Sequence, residues 1–492
     1  MMIQHEDALV KNIEVAAAAS REQFVVLQEY VQMMAEQACE AHTVEQGLWD
    51  GVLALGRALL GEYFLRQGSG DVGEHVSLVD GRSVPRQGLH TRRYVSVFGP
   101  VSVERMCYGE GKSEAVPLDA TLNLPYRDYS YLLQQWSQAF AVHDAYGETV
   151  VQLEEVLHVG TTVRTLERVT RDSAADVPGY REAAPPPAPA PEGAVVVAAV
   201  DGKGVPICRE TPPEPVGRHR RTKGEKANKK KMACVGAVYA IQPFVRTADE
   251  VLDEVLRPQA HTHRPHPQGK RVQANLGGGK EATFAWMAQE VAARNPAGTQ
   301  PVICVGDGER ALWTATAQHL PGVIEILDLF HVLEKLWLVA HCFHKEGSAQ
   351  AEAFVEQRLR RLLEGTVAGV IQGLRQMATK QRLTGGSRKT VDQVTGYFVH
   401  NQTRMCYDEY LAQGYPIGSG VAEGACRHLV KDRMERTGMR WTLEGAQAML
   451  DLRATYLNGE WEAFWSHHIH HQHKRLYGHI DPTILKQLPT AA

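Results

Sequence analysis

Five side chains in this chain are of the type, and in the setting, to do acid and metal chemistry. Asp201 closes an apolar, β-branched run at residues 194–200 and is followed by Gly202 and Gly204. Asp307 repeats the device, standing between Gly306 and Gly308 after the run at 301–305. Asp328 and His331 are three apart where another apolar run, 323–327, gives way to a helical pattern, and Glu423 follows the loop Gly418-Ser419-Gly420. Alone, Asp201 before a glycine reads as a turn residue. Its repetition at Asp307 predicts two buried strands that each deliver a carboxylate. Neighbouring carboxylates repel, so such a pair calls for a divalent cation, and hard oxygen donors favour Mg²⁺ or Mn²⁺ over zinc. Two such ions, about 3.5–4 Å apart, can activate an attacking oxygen and stabilise the leaving oxygen of a phosphodiester.

The elements that must position these groups can be read from hydrophobic period. Strands are expected at 194–200, 205–208, 232–241, 301–305 and 323–327, with helices at 282–294 and 310–318. Three strands, helix, strand, helix, strand is the order of the ribonuclease-H-like fold, an α/β core around a mixed five-stranded sheet. In that fold the first and fourth strands are neighbours, which would bring Asp201 and Asp307 together. Residues 332–412 carry only helical periodicity and are too long for a connection, so residues 332–414 read as an all-α insertion. After it, residues 415–434 start a helix with Glu423 in its first turns and Arg427 and Lys431 following at intervals of four. That spacing alone fits ordinary helix electrostatics, with Glu423 near the N-terminus, as well as it fits a third ligand. Likewise Asp328 could cap the helix it precedes and His331 could be a core-edge histidine.

Upstream, residues 1–85 are helical, and residues 94–105 within the 86–125 region alternate about Gly99-Pro100 as a β-hairpin. Within 126–180, helices at 130–142 and 147–157, a turn at 158–160 and a helix at 161–169 match a helix-turn-helix or a plain helical hairpin. Arg164 and Arg168 lie four apart on the last helix, where a DNA-reading element would present them. Residues 181–193 include a Pro/Ala run expected to be an extended spacer. Residues 217–231 pack eight basic residues against one Glu. Among them Arg218, Arg220, Arg221, Lys223, Lys229, Lys230 and Lys231 are candidates for phosphate contact. The histidines between 467 and 473 read as a polar, DNA-proximal tail spanning 466–492.

The 492 residues carry a net charge of -4, so DNA contact must come from local clusters and not from the whole surface. Eight scattered cysteines without a CxxC pair indicate neither a zinc ribbon nor a disulfide scaffold. With no eighteen-residue apolar run or leader-like N-terminus, the expected location is the cytoplasm, without a membrane partner.

The Asp-Gly after the first strand, the Gly-Asp-Gly after the fourth, Asp328-x-x-His331 and the block from Tyr415 to Trp441 together resemble bacterial insertion-sequence transposases of the ISKra type, in the Mutator-like group of DDE enzymes. The resemblance covers residues 195–465. It implies that Asp201, Asp307 and Glu423 are a catalytic triad binding two Mg²⁺ ions, replaceable by Mn²⁺, with Asp328 and His331 as an accessory motif. It also implies a ribonuclease-H-like core at 194–331 and 415–465 and, with the residues above, DNA contacts through Arg427, Lys431, Arg440 and Trp441. Lys203 and Arg427 are candidates to hold transition-state charge. The expected partners are the double-stranded DNA of element ends and target, and further copies of the chain. In many such relatives the hairpin, here residues 91–105, leads into a cysteine-paired zinc ribbon. This chain has only Cys107 there, which shifts end recognition onto the helix-turn-helix. A metal-dependent nuclease without joining activity, or a domesticated DNA-binding regulator, are the competing readings.

Overall fold

The computed structural model describes residues 2–208, 230–257, 264–436 and 438–485, in two compact units. One comprises Met1–Glu182 with Glu460–Ala492, the other Ala183–Gly459.

In the first unit two long helices, Met2–Glu36 and Ala41–Arg66, precede an antiparallel sheet of β1 (His75–Ser77), β2 (Ser83–Ser96) and β3 (Gly99–Tyr108). The expected hairpin is present, but its turn is Val97-Phe98 and not Gly99-Pro100, because Ser96 already pairs with Gly99. Gly99 has a φ of 104°, a conformation natural to glycine, and Pro100 enters β3 opposite Val95. Helices Tyr131–Ala141, Tyr146–Leu157 and Val163–Ala174 follow, close to the expected bounds. Ser130 and Thr162 cap the first and third by accepting from Leu133 N and Thr165 N, and His158 makes the left-handed exit from the second.

The histidine-rich segment is no tail. It lies on the helix Trp461–Tyr477, whose residues Trp461, Phe464, Trp465 and His468 recur at helical spacing and are buried within this unit. Polar composition hid the face: His468 is only 3% exposed because Asp176 receives its Nδ1 at 2.7 Å, and Gln472 Nε2 donates to the same carboxylate at 2.7 Å.

The second unit is built on a five-stranded mixed sheet in the order β6-β5-β4-β7-β8, with β4 (Val195–Pro206), β5 (Lys230–Ile241), β6 (Gln268–Asn275), β7 (Val302–Gly306) and β8 (Ile324–Leu327). β4, β5 and β6 pair antiparallel, while β4, β7 and β8 run parallel. Two expectations need correction. The runs at 194–200 and 205–208 are largely one strand, held straight through Asp201 and Gly202 by pairing with β5 up to Pro206–Lys230. The third antiparallel strand is β6, which sequence reading missed because its residues are mostly polar, as an edge strand tolerates.

Helices Gly279–Arg294 and Arg310–His319 join the strands, and Leu329–Phe343, Ala349–Leu363, Val367–Lys380, Gly385–Asn401 and Tyr407–Ala412 fill the helical segment. Apolar residues of that segment, such as Val332, Leu336, Phe354 and Phe398, join Val195–Val200 in one continuous buried cluster. The Pro/Ala run forms neither helix nor strand beyond Ala183, yet it is not free. Ala190 N donates to Arg294 O at 2.8 Å, and Gln300 Nε2 donates to Pro191 O at 2.8 Å.

Candidate metal centre

The two sheet carboxylates meet because of register. The last parallel pair between β4 and β7 is Ala199 with Val305, and Asp201 and Asp307 each lie two residues beyond it. Both side chains therefore leave the sheet at the same level, where β7 has ended and β4 continues only along β5. Asp328 lies one residue past the pair Gly306–Leu327, and its N–H donates to Gly306 O at 2.9 Å. One turn into the helix that Asp328 starts, His331 faces the same point.

Ligand atoms of Asp201, Asp307 and His331 lie within 4.8 Å of one another, and so do those of Asp328, His331 and Glu423. His331 is the member common to both groups. The two groups adjoin at His331 and draw on four chain segments, but Asp201, Asp307 and Glu423, expected as a triad, do not fall in one group: Glu423 stands with Asp328 and His331.

Asp328 organises this side. It is fully buried, accepts from Phe330 N at 2.9 Å as a helix cap, and receives His331 Nδ1 at 3.1 Å and the Ser419 hydroxyl. The capping reading holds, and the same residue does a second thing: one carboxylate oxygen starts the helix while the other orients the imidazole. Leu329 N donates to Ile417 O at 2.9 Å, and Glu423 N donates to Ser419 O at 2.9 Å, so the loop at 417–419 fixes where the Glu423 helix begins. The glycines of this loop and of the Gly-Asp-Gly turn differ in their reasons. A Cβ on Gly418 would stand 2.9 Å from the Phe330 ring, whereas one on Gly420 would meet open space. Gly308 has a φ of 83°, and a Cβ there would stand 2.6 Å from Tyr397 Oη, the hydroxyl that donates to Asp307 O at 2.6 Å.

The charge balance follows from burial. Burial holds Asp307 above the usual carboxylate range, and the Asp201 carboxylate adds to it, against a hydrogen bond from Glu309 N and the nearby His331. Glu423 is raised by burial first and by Asp328 next. His331 is raised to about 9, chiefly by its hydrogen bond to Asp328. The carboxylates of Asp307 and Asp201 add to that rise, against the burial that opposes it. Below the sheet carboxylates, burial also pushes the Cys426 thiol up, with Asp201 beside it adding to the shift.

The donor set suits a hard dication. Carboxylate oxygens dominate, the groups are close enough to share an ion, and the single imidazole is a donor Mn²⁺ accepts.

The predicted nucleic-acid contacts are placed unevenly. Arg164 is exposed and Arg168 half-buried on the helix Val163–Ala174. Arg427, Lys431 and Arg440 are exposed, Arg427 standing 3.8 Å from Asp432. Lys203 is half-buried on β4, Lys231 is exposed, and Lys230 pairs with Glu435 at 2.5 Å. Arg218, Arg220, Arg221, Lys223 and Lys229 lie outside the described residues. Trp441 is not a surface residue. It is 6% exposed, its N–H donates to Pro206 O at 3.0 Å, its carbonyl accepts from Cys208 N at 2.7 Å, and Arg433 lies over its ring. The main chain of Trp441 thus bridges the chain just past β4 at Ile207, while its indole N–H donates to Met434 O at 3.3 Å. Sequence reading missed Ser419, Tyr397 and Cys426; only Ser419, between two glycines, carried a local signal.

No protein-family model matches this chain, and no curated protein matches it.

Proposed function

We propose that this chain is a DDE-type transposase, with a ribonuclease-H-like catalytic unit that cleaves and joins DNA strands at the ends of a mobile element. The observation that carries the reading is that Asp201, Asp307 and His331, and Asp328, His331 and Glu423, form two close groups that share His331. The sheet order, three antiparallel strands flanked by two parallel ones, supports the fold assignment. The three short helices with Arg164 exposed on the last support DNA recognition by the first unit.

Asp201 and Asp307, with Glu423, would hold Mg²⁺ or Mn²⁺, which when bound supplies charge neutralisation at the phosphodiester and a more acidic attacking hydroxyl. The chain's own groups do the rest. Asp201 and Asp307 present oxygens at one level because the parallel register fixes them. Asp328 holds the His331 ring through Nδ1, leaving Nε2 as the nitrogen available to exchange a proton. Half-burial of Asp201 and Asp307 limits their screening by bulk water, whereas Glu423 is exposed. In cleavage, a water oxygen forms a bond to phosphorus as the bond to the 3′ oxygen breaks, freeing a 3′-hydroxyl. In joining, that hydroxyl attacks a target phosphodiester and a target 3′-hydroxyl departs, so no covalent protein intermediate is required.

The test is incubation of the purified chain with a duplex carrying the element end and a supercoiled target, with Mg²⁺. Nicked and joined products are expected, and both should vanish in Asp307→Asn. Nicking without joined product would make the chain a nuclease, and unchanged nicking by Asp307→Asn would remove Asp307 from the site.

A further inference from the structure

The segment that carries Glu423 is not a regular helix. It is α-helical over Gly420–Ala425, π-helical over Cys426–Lys431 and α-helical again over Asp432–Met434. A π-turn widens the backbone and detunes the usual ladder of hydrogen bonds. Here the widened turn begins three residues after Glu423, in the same continuous helical segment.

Arg453 lies on the following helix, Leu443–Leu457, and is 5% exposed. Its Nε donates to Leu429 O at 2.9 Å, and its Nη2 donates to His428 O. Both acceptors are carbonyls of the π-helical turn. A buried guanidinium that spends its donors on main-chain oxygens is costly, and burial together with the Arg433 charge lowers Arg453 to about 10. Charge-assisted bonds to carbonyls are also stronger than neutral ones.

The helix that bears Arg453 is itself tied to the sheet. Gln447 Oε1 accepts from Leu276 N at 2.8 Å and its Nε2 donates to Ala274 O at 3.1 Å. Asn458 Oδ1 accepts from Val272 N at 2.8 Å and its Nδ2 donates to Val272 O at 3.2 Å. Two amide side chains thus clamp the helix to the edge of β6, and Arg453, between them in sequence, clamps it to the π-turn.

We propose that Arg453 is a positioning residue for Glu423: the helix Leu443–Leu457 transfers the position of the sheet, which carries Asp201 and Asp307, to the segment that carries the third carboxylate. The proposal rests on the reading of these three carboxylates as one metal centre. Arg453 acts through the backbone at His428 and Leu429.

The test is a double-mutant cycle on the full chain, read as Mn²⁺ affinity by titration calorimetry, with calorimetric melting as a check on the fold. Glu423→Gln should weaken Mn²⁺ binding. Arg453→Met, which keeps the stem and removes the donors, should weaken it about tenfold, the scale of outer ligand supports. Arg453→Lys should recover part of the loss. In the Glu423→Gln background Arg453→Met should cost nothing more, because its effect passes through Glu423. If Arg453→Met does not fold, Arg453→Lys carries the cycle, with a smaller loss that again disappears in the Glu423→Gln background. The proposal is overturned if Mn²⁺ affinity stays at the wild-type value while the melting point falls, or if the two losses add. Wild-type affinity in Glu423→Gln, or no Mn²⁺ binding by the unmodified chain, would instead bring down the reading of the metal centre, and the proposal with it.

Discussion

Gly308→Ala should be the most damaging conservative change at the site, and its cost can be assembled from the structure. The residue has a φ of 83°, where a Cβ costs roughly 1–2 kcal/mol. The new methyl would stand 2.6 Å from Tyr397 Oη and 2.7 Å from Leu327 Cδ1. Leu327 can rotate a methyl away, but Tyr397 must withdraw and give up its bond to Asp307 O, a net loss of about 1 kcal/mol with a similar amount for local overpacking. The sum is roughly 3–4 kcal/mol, or a fall of about 6–12 °C at about 2–3 °C per kcal/mol for a unit of this size. Differential scanning calorimetry is the assay, because it resolves the transition of the unit containing Gly308 from that of the other. Two controls separate the contributions. Tyr397→Phe loses only the hydrogen bond and should fall by about a third as much. In Gly424→Ala the Cβ meets nothing within 4 Å, and the change should stabilise by roughly 0.5–1 kcal/mol because glycine is a poor helix former. A Gly308→Ala protein that melts within about 2 °C of the unmodified chain would refute the strain argument, on the same per-residue scaling.

Asp328→Asn should lower the His331 pKa from about 9 toward the ordinary histidine value, since the hydrogen bond His331 gives to Asp328 is the largest cause of the rise; an NMR titration of the ring protons reads it directly. The same groups set a pH dependence for the metal-free protein. A histidine raised in the folded state gives stability that is fully present below its ordinary value and lost as pH climbs through about 9, and the raised Asp307 and Glu423 carboxyls lose stability in the same direction. Urea unfolding should therefore show lower stability at pH 9.5 than at pH 6.5, with a smaller difference in Asp328→Asn. In the other unit, burial pulls Asp176 upward but the hydrogen bonds from His468 and Gln472 outweigh it and hold the carboxyl below its usual range. Its contribution exists above the ordinary aspartate value and disappears as pH falls through the folded one, so Asp176→Asn should destabilise at pH 7 and converge with the unmodified chain in strong acid.

The parts of the site legible in the sequence were those written in short-range pattern. Asp201 and Asp307 stood out because each ends an apolar run, and the run itself specifies a strand buried on both faces. Their adjacency was expected from a strand order that took one strand for two and missed β6, so the neighbour relation was reached with the wrong second and third strands. Glu423 could be placed near a helix start but not beside Asp328, since the contact between Ser419 and Asp328 spans 91 residues and has no local signature. The π-turn was invisible for the same reason: a bond one residue longer than usual depends on what packs against it, here Arg453. Trp441 and the histidine-rich helix went wrong in opposite ways. Trp441, placed among the DNA contacts by the resemblance, is buried at the end of β4, and a run of histidines suggested a polar tail but contributes one face to a core.

The clamp of Gln447 and Asn458 on β6 has a bearing on how the chain can be handled. β6 is the outer strand of its sheet, and an outer strand offers unpaired amides and carbonyls to any other strand that meets it. The two side chains occupy groups at Val272, Ala274 and Leu276, closing that side against a second molecule. A fragment cut before Leu443 would keep all five strands and Asp201, Asp307 and Glu423, yet leave this side bare. Its failing would be self-association through added strands, and a fragment intended to isolate the carboxylate site should extend through Asn458.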